Sequence, residues 1–272
     1  MATNRPTLDA SALRAALVGP GRPWRTLEVV EETGSTNADL LARTHAGEDI
    51  DGVVLLAEHQ TAGRGRLGRH WLAPPRTQLA LSVGVNAAGV PTPAWGWLTL
   101  VTGVAVADAL AEVAGTDAGL KWPNDVVVAD RKLAGILAEV AAPRPVVVVG
   151  VGLNVAMTAD ELPDEIRDSA TSLAMLGAAV TDRNVLAAGV LHELASRIQS
   201  WRAGEGVDDA LLAEYRRYSV TLGTRVRASL PGGKKIEGVA EEIDELGRLR
   251  IDTGAGVEAI SAGDITHLRP GV

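Results

Sequence analysis

The chain has 272 residues, 46% of them hydrophobic and 22% charged, and 26 basic against 34 acidic residues leave a formal charge of −8. That balance excludes a disordered or collagen-like chain and suits one large domain or two smaller ones. The lack of cysteine removes thiolate nucleophiles, disulfides and cysteine-ligated metal sites, and acidity with an isoelectric point near 5.2 fits general nucleic-acid binding poorly.

In chain order, residues 8–18 read as a short amphipathic helix broken by Gly19-Pro20-Gly21. The N-terminus lacks a basic stretch followed by an apolar run, so no signal peptide is expected. Residues 26–31 form a strand, and Ser35 or Thr36 caps a helix through Arg43, with Asp39 in its first turn. Residues 52–58 are a buried strand opening into a Gly-rich loop, 79–85 another strand, and 94–114 a long apolar helix to be buried against the sheet. Strands follow at 126–129, 133–141 and 146–151, then helical spacing at 182–202 and 208–218. After Ser219 only short alternating strands and tight turns remain, which suggests a small β-barrel. The expected organisation is a main domain over 1–218 and a barrel over 219–272. No uninterrupted apolar run of about 18 residues is found, so no membrane span is expected, and a cytoplasmic location is.

Chemistry concentrates in loops. Gln60 to Trp71 alternates Arg64, Arg66 and Arg69 with Gly63, Gly65 and Gly68. Glycines let backbone approach a ligand, and arginines present forked donors to phosphate or carboxylate oxygens. Taken alone, the same loop also reads as a solvated hairpin. It is no P-loop, since G-x-x-x-x-G-K-[ST] is absent. Lys121-Trp122-Pro123-Asn124-Asp125 puts cation, amide and carboxylate in one turn, or is simply a rigid β-turn with a solvated lysine. Lys132 leads into Leu-Ala-Gly135-Ile-Leu, small residues that leave ligand space, and Gly150-Val-Gly152-Leu-Asn154 is too short for a dinucleotide fingerprint. From His59 to Ala107 there is no acidic residue, so that window carries +4 and the remainder −12. The acidic average conceals a cationic site of a kind that suits small anions.

GSTN, QTAGRGRLGRHW, KWPND, KLAGILAE and GVGLNV, in that order over about residues 26 to 155, closely resemble the biotin protein ligases. The resemblance implies an α+β catalytic domain, a mixed central sheet with flanking helices as in class II synthetases, and a small C-terminal SH3-like barrel. It implies a ligase that forms biotinyl-5′-AMP from biotin and ATP and then biotinylates one lysine of a carboxylase's carrier domain. By that resemblance Ser35, Thr36, Asn37 and Gln60 bind the ureido ring. Arg64, Gly65 and Arg66 line the carboxylate and α-phosphate, in a loop that orders over ligand, and Lys132 lies near the biotin carboxyl. Gly135 and Gly152 complete the biotin site. Arg66, Arg69, Trp71, Lys121, Asn124, Asp125 and Asn154 serve ATP, with Arg66, Lys121 and Asp125 catalytic. Magnesium accompanies the triphosphate, Asp125 being its one candidate ligand.

The chemistry agrees with these roles. Bringing a carboxylate to a phosphate at ~4 Å costs on the order of 4 kcal/mol at an effective ε of ~20, so cations are required. A buried urea left unpaired loses ~1–3 kcal/mol per group. Only 33 residues precede Gly34, too few for the DNA-binding module that some biotin ligases carry, so a monofunctional ligase is expected. The carrier domain is the expected partner, DNA and membrane are not, and a homodimer is left open. A lipoate or octanoate ligase of the same superfamily, and a non-catalytic biotin-adenylate sensor, are the alternatives.

Overall fold

Uncharged runs of Val, Leu and Ala make the buried strands, and the polar stretches between them make the loops that reach the site. The structure, a computed structural model, describes residues 5–268; the outer ends of both expected domains, 1–4 and 269–272, lie outside the described residues. α1 (Ala10–Leu17) precedes β1 (Thr26–Thr33), α2 (Thr36–His45), β2 (Val53–Gln60), β3 (Gln78–Asn86) and α3 (Trp97–Ala114). Next come β4 (Gly119–Lys121), β5 (Asp125–Val128), β6 (Arg131–Val140) and β7 (Val146–Asn154). α4 (Leu173–Leu176), α5 (Arg183–Ala203) and α6 (Asp209–Tyr218) follow. Last are β8 (Arg225–Ser229), β9 (Lys235–Ile243), β10 (Leu249–Asp252), β11 (Val257–Ile260) and β12 (Asp264–His267). Residues 155–181 hold no long element, only 3₁₀ turns at 159–161 and 164–166 and the single-turn α4.

Seven strands form one mixed sheet, ordered β1-β2-β3-β7-β6-β5-β4, parallel only between β1 and β2. Five short strands form a second, antiparallel sheet, β11-β10-β9-β8-β12, the small C-terminal unit. On one face of the large sheet α2 buries Leu40 against Ile50, Val53, Leu55 and Val148. On the other face α1, α3, α5 and α6 share the main core.

α3 is the long apolar helix expected at 94–114, buried against the sheet. By length and composition the helical stretch Thr92–Ala114 would also suffice to cross a membrane. It is apolar over most of its surface because most of it is enclosed, with Trp97, Leu98, Val101, Val104 and Leu110 fully buried and only its last turns, at Ala111 and Glu112, exposed. Its Asp108 meets Arg197 of α5 and Tyr218 of α6.

The second sheet is fastened to the turn that carries Lys121. Val220 N donates to Leu120 O at 2.9 Å, and Trp122 N to Thr221 Oγ1 at 3.1 Å. Trp122 Nε1 donates to Gly247 O at 3.0 Å, and Trp97 Nε1 to Glu245 O at 3.0 Å. The two tryptophans bury large rings while their single donors reach carbonyls of the neighbouring unit.

A buried ion pair closes the opposite end. Arg183 Nη1 lies 2.7 Å from Glu58 Oε2, with both side chains almost wholly buried. Glu58 Oε1 accepts Leu8 N at 2.6 Å, and Arg183 Nη2 donates to Pro6 O at 2.6 Å. Removing one partner strands a buried charge. Arg183→Met is therefore expected to destabilise the fold by about 3–5 kcal/mol in urea denaturation, with Glu58→Gln in the same chain recovering much of it.

Candidate active site

Strand alternation sets the floor of the site. The rows Ala80–Gly152–Gly135 and Ser82–Gly150–Leu137 run in register across β3, β7 and β6. Their small members leave a trough on the face that α2 covers. A cavity of about 410 Å³ opens there, within the usual range for small ligands. Every site residue expected from the sequence borders it: Ser35, Thr36, Asn37, Gln60, Arg64, Gly65, Arg66, Arg69, Trp71, Lys121, Asn124, Asp125, Lys132, Gly135, Gly152 and Asn154.

The first turn of α2 forms one wall. Ser35 is the N-cap, its hydroxyl 3.5 Å from Ala38 N. Gln60 Oε1 accepts Thr36 N at 2.9 Å and Thr36 Oγ1 at 3.1 Å, leaving the Gln60 amide hydrogens to the cavity. Asn37 lies over Gly150, where a Cβ would strike its Oδ1. Both amide hydrogens of Asn37 are committed, to Leu137 O at 3.1 Å and Glu139 Oε2 at 2.8 Å, and its Oδ1 accepts Ser82 Oγ at 2.6 Å. Expected as a ureido ligand, Asn37 is in this geometry a brace between α2, β3 and β6.

The arginine loop, expected to order over ligand, has a hairpin of its own. Gly65 N donates to Arg69 O at 2.7 Å and Trp71 N to Gly63 O at 2.8 Å, with Leu67 in the left-handed region at φ 57°. Trp71 then lies across the floor. A side chain at Gly152 would collide with its indole, and Trp71 Nε1 donates to Gln78 Oε1 at 2.5 Å. Lys132 Nζ stands 5.4 Å from the ring centroid.

A β-bulge aims Lys132. Simple alternation would place it with Ala134, facing the main core. The register between β5 and β6 shifts after Val126, so Leu133 and Ala134 both enter the core and Lys132 turns to the cavity. There its Nζ meets Asp125 Oδ1 at 2.5 Å.

Five long cationic side chains border the cavity, and they divide. Arg64 pairs with Glu139 at 3.2 Å, Arg69 with Asp264 of β12, and Lys132 with Asp125. Among the described residues Arg66 and Lys121 have no ion pair; Arg66 Nη1 donates to Asn124 Oδ1 at 3.1 Å. Burial lowers the Arg66 pKa from its ordinary value, against the opposing pull of Asp264 and Asp125. Two cations thus border the cavity without an ion-pair partner among the described residues. The carboxylates bordering it, Asp125 and Asp264, already have cationic partners, and no cluster of three or more potential metal ligands occurs among the described residues.

Residues 30–155 match the biotin/lipoate A/B protein ligase family, and residues 221–268 the biotin protein ligase C-terminal domain. A biotin--[acetyl-CoA-carboxylase] ligase of Mycobacterium tuberculosis is 54% identical over 268 residues, 97% of each chain. The chain belongs to the biotin protein ligase family. The bifunctional ligase/repressor BirA of Escherichia coli is 32% identical over 89% of this chain and 74% of its own. Among solved structures, a biotin protein ligase from Aquifex aeolicus in complex with biotin and ATP aligns with a TM-score of 0.77 at 29% identity, covering 91% of this chain and 100% of that one.

Several members of the ligase cavity gave little sign of themselves in the sequence. Met157, Leu162, Ile166, Ser169 and Ala170 form a wall from the irregular 155–171 stretch, pinned where Lys132 N donates to Ser169 O at 2.7 Å. Asn154 Nδ2 donates to Thr171 O at 2.9 Å, which ties the expected nucleotide ligand to that wall. Asp264 and Ile265 come from the second sheet. Ser82 and Glu139, which brace Asn37 behind the cavity wall, were each visible as the one polar side chain of the expected strands 79–85 and 133–141. Gly152→Ala is expected to lift Trp71 from its seat at about 1–3 kcal/mol of overpacking. The check is a shift in tryptophan emission that disappears in a Trp71→Phe background.

Proposed function

We propose that this cavity joins biotin to ATP, giving biotinyl-5′-AMP and diphosphate, and then passes the biotinyl group to one lysine of a carboxylase's carrier domain. The observation that carries the reading is the pair of unneutralised cations, Arg66 and Lys121, among five that border one cavity. The reaction must bring a carboxylate against the α-phosphate, and two cations with no ion pair among the described residues meet that charge without breaking one. Little covalent chemistry falls to the protein, so positioning and electrostatics carry the step.

Ser35, Thr36 and Gln60 suit the ureido ring, whose N–H groups need acceptors and whose carbonyl needs donors, as Gln60's free amide hydrogens supply. Arg64, Gly65 and Lys132 would meet the carboxylate end and α-phosphate, with Gly135 and Gly152 completing the biotin site. Arg69, Trp71, Asn124 and Asn154 would take the nucleotide, the indole offering a flat face to adenine. Asp125 would orient the carrier lysine once a substrate anion draws Lys132 away. Magnesium would arrive held by the phosphates, with Asp125 as a single protein contact, because a paired carboxylate offers no preformed cage. A cytoplasmic location would follow from the carrier substrate.

ATP–diphosphate exchange should be stimulated by biotin and not by lipoate. Arg66→Ala and Lys121→Ala should each lower it by about 10²-fold or more while leaving the fold intact by circular dichroism. Exchange that is independent of biotin, or indifferent to both substitutions, would overturn the reading.

A further inference from the structure

Glu139 has no place in the roles above. Strand alternation on β6 sends its carboxylate to the cavity face, two residues beyond Leu137 and in register with Val148 of β7. Its Oε2 accepts two donors from different segments, Asn37 Nδ2 of α2 at 2.8 Å and Arg64 Nη2 of the arginine loop at 3.2 Å. Beyond Asn37 the polar contacts continue. Ser82 Oγ lies 2.6 Å from both Asn37 Oδ1 and Thr36 Oγ1, and Thr36 Oγ1 lies 3.1 Å from Gln60 Oε1. One unbroken chain therefore runs from the first arginine of the loop, through one carboxylate, to the side chains at the cavity floor.

Arg64 has a long, half-exposed side chain, and Glu139 is its one ion-pair partner among the described residues. Without that anchor the guanidinium has many solvated rotamers and little reason to stay over the cavity. Glu139, in turn, is held from behind by Asn37, whose other amide hydrogen is fixed on Leu137 O.

We propose that Glu139 is a positioning residue that holds Arg64 over the cavity, so that the floor of the biotin pocket dictates where the loop's first arginine stands. This rests on the biotin-ligase reading of the same site. Arg64 meets the carboxylate end of the ligand only when Glu139 sets its reach, and Asn37 acts on the ligand through Glu139.

Biotin affinity of the full chain, measured by calorimetry for the parent, Glu139→Gln, Arg64→Ala and the double variant, tests this. Glutamine keeps the volume and an acceptor for Asn37 but removes the charge that holds Arg64. Glu139→Gln is expected to weaken biotin binding about three- to five-fold, and to add no further weakening in the Arg64→Ala background. Trypsin, which cuts at the loop arginines, should cleave biotin-saturated Glu139→Gln faster than biotin-saturated parent. Parent-like affinity for Glu139→Gln, or a weakening that persists undiminished beside Arg64→Ala, overturns the proposal. Should Glu139→Gln fail to fold, Arg64→Gln serves: weakened biotin binding supports the proposal and parent-like binding overturns it. A parent chain that binds no biotin would overturn the functional reading itself, and the proposal with it.

Discussion

Like charges crowded around one small cavity repel, and the way that repulsion is relieved organises the site. Three of the five cations lean on carboxylates from β6, β5 and β12, so the wall is mostly neutral until a ligand arrives. Glu139 is 75 residues from Arg64 and Asp264, on the second sheet, is 195 from Arg69, whereas Asp125 is a near neighbour of Lys132 across the β5–β6 turn. The neutralised state therefore exists only when both sheets are in place. The two cations left over stand on different loops, one beside Asn124 and one at the end of β4. An anion that satisfies both must sit between those loops, which is a geometric demand as much as an electrostatic one.

The floor beneath depends on a second constraint, the lack of side chains. Gly150 and Gly152 carry Asn37 and Trp71 directly on the backbone of β7, so the sheet serves both as wall and as seat. Glycine weakens a central strand, and β7 accommodates that by pairing along its whole length with β3 and β6. The irregular 155–171 stretch then closes the cavity from the side through bonds to the backbone of Lys132 and to Asn154.

Much of this was legible because period and punctuation agree. Gln60 to Trp71 and Lys121 to Asp125 stand out as polar breaks between apolar runs, and such breaks at strand ends become cavity loops. Lys132 was legible as a cation near a strand mouth, but the bulge that turns it to the cavity was not, since nothing in Leu133-Ala134 marks an extra residue. Asp264 could not be linked to Arg69 across 195 positions, because pairing at that separation depends on how the second sheet docks. Asn37 showed the opposite limit. Its type suited a ligand, and only its surroundings reveal that its amide hydrogens are already committed. Glu139 carried a signal that went unused, a lone acid in an apolar strand.

α3 places a demand on the order of synthesis. Its apolar surface is covered largely by α5 and α6, which leave the ribosome well after it, and by strands β4 to β6 that follow directly. During that interval a segment with the composition of a membrane span has no partner but the strands already made. The chain must therefore collapse that helix onto an unfinished sheet early, or keep it out of reach of other hydrophobic surfaces. A variant that loosens α5, even one far from the cavity, would expose the same surface again, and its first symptom would be aggregation before any loss of chemistry.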